Sequence, residues 1–197
     1  MVNVSLTTFT DFVAATGTAR LTKVREAKRF YTAGYAPERD YYKPLRDRIV
    51  ESFAVGWDKR KLQALLADVD DPKKLENYEA CRVGLTKWAG RKSFEPIPAR
   101  SVKWRSAELS VGINPELWVR IGGDPHVIKL HLKADELSQQ KANLVLHLMD
   151  TKLGRDGVVG VLDVRRAKLF TKTRQIPGLD ALLASEALAF ATLWDSI

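Results

Sequence analysis

At 197 residues, with 45% hydrophobic and 28% charged side chains, the chain has the make-up of a folded globular protein, which excludes a disordered segment, a collagen-like repeat and a coiled-coil rod. Lys and Arg outnumber Asp and Glu by 32 to 24, a net charge of +8, and the single cysteine, Cys81, excludes an internal disulfide and a cysteine-ligated metal site. No uncharged apolar run approaches the ~18 residues of a membrane span, and MVNVSLTTFTDF lacks the basic-then-apolar order of a secretory signal, so a cytoplasmic protein with no membrane partner is expected.

The first half reads as short helices. Thr10 to Thr16 forms one, ended by Gly17. Thr18 to Ala33 places Leu21, Val24, Ala27 and Tyr31 at helical spacing. Pro37 suits the start of the next, which carries Tyr42, Leu45, Ile49 and Phe53 on one side. Asp58 caps a helix with Leu62, Leu65, Leu66 and Val69, and Asp71-Pro72 opens another with Leu75, Tyr78, Leu85 and Trp88 inward. Helices this brief are unstable alone and must pack on something. Ser93 to Arg100 contains two prolines and reads as a linker or edge crossing.

Beyond it the period becomes that of strands. Val102 to Val111, Leu117 to Ile121 and His126 to Lys133 are expected strands, with turns at Asn114-Pro115 and Gly122-Gly123-Asp124-Pro125. Asp135 is the expected cap of a helix burying Leu137, Leu144, Val145, Leu148 and Met149. Gly157 to Arg166 is apolar enough for a strand covered on both faces, and Leu169 to Thr173 extends or returns from it. Pro177-Gly178 precedes a last helix. The predicted fold class is α+β: a helical N-terminal subdomain (1–92), a linker (93–100), and an α+β subdomain (101–197). There a small mixed β-β-β-α-β sheet carries two further helices.

Charge is uneven. Residues 1–100 hold 19 basic and 13 acidic side chains, and 101–197 hold 13 and 11. Arg25, Lys28 and Arg29 share one side of the second helix, with Tyr31, Tyr35, Tyr41 and Tyr42 close behind. Arg165, Arg166 and Lys168 cluster after the last long strand. In HVIKLHLK, alternation sends Ile128, Leu130 and Leu132 to one face and Lys129, His131 and Lys133 to the other. The apolar face is expected against the Asp135 helix. Buried unpaired ammoniums would cost several kcal/mol, so the cationic face is expected to be solvated, matched by acids such as Glu108 or Asp163, or occupied by an anion. These nine cations are the expected contacts of a non-catalytic, nucleic-acid-binding accessory protein that grips phosphates.

Helix, three strands, helix, strand over about Lys73 to Arg166 resembles, in order, the core of the PD-(D/E)XK nucleases. The resemblance implies an alternative: a Mg²⁺-dependent nuclease with Lys129 orienting the attacking water and displaced acids from Glu108, Glu116, Asp124 and Asp163. The sequence departs from that family's motif, since Val127 stands two before Lys129 and the preceding strand ends Ile121-Gly122-Gly123. The segments AGYAPERDYYKPLRD, PHVIKLHLK and GVLDVRRAKLF are similar to small uncharacterised bacterial proteins, a likeness that implies no activity.

Other motifs carry less. His126, His131 and His147 are too scattered for zinc. His147 is expected to meet Asp150, and Asp163 to meet Arg165. Cys81 reads as a small buried thiol. Gly154 to Gly160 ends in a strand and does not open a helix, so it is not a nucleotide-binding loop. Leu179, Leu183, Glu186, Phe190, Leu193 and Ile197 form a heptad-like seam broken by the glutamate. Either Glu186 finds a basic partner, or the seam and Trp194 serve a homodimer in an oligomeric scaffold, the third reading.

Overall fold

The computed structural model describes residues 1–33, 40–172 and 174–197, and within them the chain has the expected α+β class, with helices and two mixed sheets. β1 (Val2–Ser5) has no counterpart among the expected strands, because four residues are too few to display a period. Ser5 then turns the chain, its hydroxyl accepting from the Thr8 amide at 3.1 Å to cap α1 (Leu6–Ala14). That cap starts the helix four residues before Thr10. α2 (Ala19–Thr32) lies as expected; the start at Pro37 falls outside the described residues, and α3 (Lys43–Phe53) has Pro44 in its first turn. Asp58 caps α4 (Lys59–Ala67) through the Arg60 amide, and Asp71 caps α5 (Pro72–Ala89) through the Lys73 and Lys74 amides.

The proline-rich crossing contains an edge strand, β2 (Phe94–Pro96). The single strand expected over Val102 to Val111 is a hairpin instead. β3 (Val102–Ser106) turns at Ala107, whose φ is 48°, into β4 (Leu109–Ile113). β5 (Leu117–Ile121) and β6 (Asp124–His131) follow. α6 (Gln139–Leu153) is capped by Ser138, whose hydroxyl accepts from the Lys141 amide, and not by Asp135. β7 (Val158–Asp163), β8 (Lys168–Thr171) and α7 (Leu179–Ser196) complete the chain.

The strands divide into a three-stranded sheet ordered β1-β4-β3 and a five-stranded sheet ordered β2-β5-β6-β7-β8. Among the described residues, only β6 and β7 run parallel in the larger sheet, joined by the α6 crossover. A hydrophobic core lies on each of its faces. On one, Val127, Val159 and Val161 meet α1, α6, α7 and the three-stranded sheet. On the other, Ile128, Leu130, Leu132, Leu162 and Val164 meet Leu45, Ile49, Phe53, Leu62, Tyr78 and Leu85 of α3 to α5. The apolar face of β6 therefore rests on the N-terminal helices, which need a sheet to bury their stripes, while α6 covers the Val127 side. Both cores draw on residues from either side of the 93–100 crossing. α5 approaches β7 so closely that a Cβ at Gly84 would stand 2.0 Å from the Val164 carbonyl oxygen.

Candidate nucleic-acid interface

The C-terminal ends of β6 and β7 gather many of the expected site residues, at the edge where open α/β sheets commonly bind ligands. They arrive already partnered. Lys129 is ion-paired with Glu116, whose second carboxylate oxygen accepts from the Leu130 amide at 2.9 Å. His131 is buried, its Nε2 at 2.7 Å from the Asp135 carbonyl oxygen. Lys133 donates to Asp11 at 2.9 Å, and Lys141 reaches the other oxygen of the same carboxylate at 2.5 Å. Burial alone would raise the Asp11 pKa, but the hydrogen bonds and charges of Lys141 and Lys133 outweigh it and hold the carboxyl below its ordinary range. The cationic side of the strand is thus neutralised by α1 and by the start of β5. Glu116 and Asp11 supply the matching acids; Glu108 and Asp163 do not.

The second basic cluster is partly absorbed as well. The Asp163 carboxylate is buried and accepts from the Leu137 amide at 3.1 Å and from Arg166 at 3.3 Å. Arg166 also donates to the Ala134 carbonyl, so this aspartate ties the turn after β6 to the turn after β7. Its partner is Arg166, where spacing suggests Arg165. Arg165 instead donates to the Asn77 side chain on α5. Lys168 is exposed, its ammonium 4.5 Å from the Phe170 ring centroid. Cys81 is buried, its thiol pushed up by that burial, with Sγ 3.5 Å from the Leu132 carbonyl oxygen. Burial leaves it a packing residue, as the sequence suggests.

The carboxylates of the nuclease alternative are scattered. Glu108 meets the Met1 ammonium, Asp124 is exposed at the opposite end of β6 from His131, Glu116 is taken by Lys129, and Asp163 by Arg166. Among the described residues no group of three His, Cys, Asp or Glu side chains is placed to hold a metal ion. The residues present do not fit a Mg²⁺ site of hard oxygen ligands. His147 meets Asp180 at 2.7 Å and not Asp150, which is taken by Lys172.

On α2 the expected arm divides. Lys28 donates to the Trp194 and Ile197 carbonyls at the end of α7, a favourable place for a cation. Arg25 and Arg29 are exposed and carry no side-chain partner among the described residues. Arg20 supplies the basic partner of Glu186. Phe190 is fully buried against Phe9 and Phe12, and Trp194 stacks on Phe190, so the seam of α7 is occupied within the chain.

Among the described residues, two further cationic surfaces are ones that charge counting along the sequence misses. On β3, Lys103 and Arg105 are exposed on one face, in register with Gly112 and Ser110 of β4, which lie beside Ser5 and Asn3 of β1. No carboxylate stands among those six residues, and neither cation has a partner among the described residues. The alternation in VKWRS is the signal for it.

The other surface joins α5 to the residues before α3. The Tyr41 hydroxyl accepts from the Asn77 side chain at 3.0 Å, and the Tyr78 hydroxyl donates to the Tyr41 carbonyl at 2.5 Å. Tyr42 meets Tyr41 edge to face at 4.8 Å. Lys74 sits 5.8 Å from the Tyr41 centroid and 5.6 Å from that of Tyr78, and Lys73 is exposed and unpartnered among the described residues. Burial, with Tyr41 beside it, pushes the Tyr78 hydroxyl up to about 12. The tyrosines read as companions of α2 in sequence; Tyr41 and Tyr42 belong to α5, Tyr31 packs on Trp194 and donates or accepts at Thr8, and Tyr35 lies outside the described residues.

No protein-family model, no curated protein and no solved structure matches this chain.

Proposed function

We propose that this chain is a non-catalytic nucleic-acid-binding protein that contacts the phosphate backbone. The observation that carries the reading is the distribution of the +8 excess. Once internal pairing is counted, exposed cations are left without a side-chain partner among the described residues on α2 (Arg25, Arg29), along α5 (Lys73, Lys87) and on β3 (Lys103, Arg105), and also at Lys59, Arg91, Lys152, Arg155 and Arg174. Unpaired surface cations attract polyanions and release counterions on contact. The interface we propose differs from the one the sequence suggests: Lys129, His131 and Lys133 brace the fold, and the outward cations hold the phosphates.

The nuclease reading needs two or three carboxylates around one point, whereas Glu108, Glu116 and Asp163 are each bound to a cation and Asp124 lies exposed at the other end of β6. A homodimer through the α7 seam would need Phe190 outside the core.

The test is fluorescence anisotropy of labelled oligonucleotides at rising salt, with and without EDTA. Binding that weakens steeply with salt and ignores the chelator, with the strand intact after incubation in Mg²⁺, is expected. No binding at low salt, or Mg²⁺-dependent cleavage lost in Lys129→Ala, would overturn the proposal.

A further inference from the structure

We infer that Tyr41 is a stacking platform for an unpaired base, so that the nucleic acid held here is single-stranded at this point. The inference rests on the phosphate-binding reading and deepens it by naming the form of strand. Tyr41 as a residue is 39% exposed although it belongs to a cluster of three tyrosines. Its orientation is fixed at both ends. The hydroxyl is held by Asn77 and lies 3.4 Å from the Lys73 carbonyl oxygen, while the backbone carbonyl receives the Tyr78 hydroxyl. Tyr42 and Tyr78 both meet the ring in edge-to-face geometry, at 4.8 and 6.0 Å, and the Lys74 ammonium lies over it at 5.8 Å, so a base would take the face that Lys74 does not. A partly exposed residue whose hydroxyl and carbonyl are both held loses little freedom when a base stacks on it.

The surroundings suit the sugar-phosphate part of such a ligand. Lys74 lies within cation–π range of two of the rings, Lys73 stands one residue before it, and Arg165 reaches the same Asn77 from the turn after β7. Two carboxylates close by in sequence are engaged: Asp71 accepts from the Lys73 and Lys74 amides, and Asp40 is paired with Arg46 at 2.8 Å. A pinned aromatic face beside unpaired ammoniums is the arrangement by which proteins hold single strands without reading sequence. A duplex, whose bases are already stacked on one another, offers no free face to it.

The experiment compares three fluorescent probes of equal phosphate count: oligothymidylate, an abasic oligonucleotide, and a blunt duplex. Oligothymidylate is expected to bind about tenfold more tightly than the abasic strand. Tyr41→Ala should remove that difference without altering the salt slope. Tyr41→Trp should retain it, and Lys73→Ala should lower the slope by about one while leaving the base preference intact. A strand carrying 2-aminopurine should be quenched on binding to the wild type and not to Tyr41→Ala. Equal affinity for base-bearing and abasic strands, both falling steeply with salt, would overturn the platform and leave the phosphate reading standing. No binding of any probe at low salt would remove both. Circular dichroism of each variant identifies a failure to fold, in which case the wild-type probe comparison decides.

Discussion

At the scale of single residues, the chain shows why a cation count is not a map of a binding surface. Lys133 and Lys141 share the Asp11 carboxylate, and Lys129 shares Glu116 with the backbone of its own strand. Removing a shared acid strands two ammoniums, so Asp11→Asn is expected to lower unfolding stability by about 1–3 kcal/mol at neutral pH, measured by urea denaturation. The sign with pH follows from the lowered carboxyl. Its contribution is present above the ordinary carboxylate range and is lost as pH falls through the folded-state value. The difference between wild type and Asp11→Asn should therefore narrow in acid, and a gap that widened there would refute the assignment. These pairings were illegible in the sequence because Asp11 and Lys133 lie 122 residues apart. The alternation of HVIKLHLK told which side chains share a face, but not what stands opposite.

Among secondary-structure elements, capping and close approach decide the layout. Asp58 and Asp71 were readable as caps because each precedes its helix with the expected side chain, and both accept from the first-turn amides. β1 and the β3–β4 hairpin were not readable, since VNVS is short and the turn at Ala107 carries no glycine or proline. The fit of α5 on β7 was equally hidden: Gly84 looks like a weak helix residue, yet only a hydrogen fits between the helix and the Val164 carbonyl. Gly84→Ala should gain a little helix propensity and lose far more to the clash. A net loss of about 3 kcal/mol is expected, read as a fall in melting temperature; an unchanged or raised value would mean that the approach is looser. Phe190→Asp places a charge among Phe9 and Phe12 and should prevent folding altogether. A folded Phe190→Asp monomer would show that the α7 seam is not core.

For the whole molecule, two cores on the two faces of one sheet mean that the ends of β6 and β7 are stabilised from both sides. The class of fold was legible from the change in period near residue 93. The site was only half legible, because the sequence shows which residues are basic but not which are left unpaired after folding. The cations that brace the fold and those proposed to bind phosphate are different sets. Salt titration of oligonucleotide affinity in the wild type, in Lys129→Ala/Lys133→Ala and in Arg25→Gln/Arg29→Gln/Lys103→Gln/Arg105→Gln tests it most directly. We predict that the first pair of substitutions lowers thermal stability and leaves the log–log slope intact. The surface variant should keep its stability and lose about one unit of slope for each phosphate contact removed. A slope that collapses in the strand variant and survives in the surface variant would contradict the account.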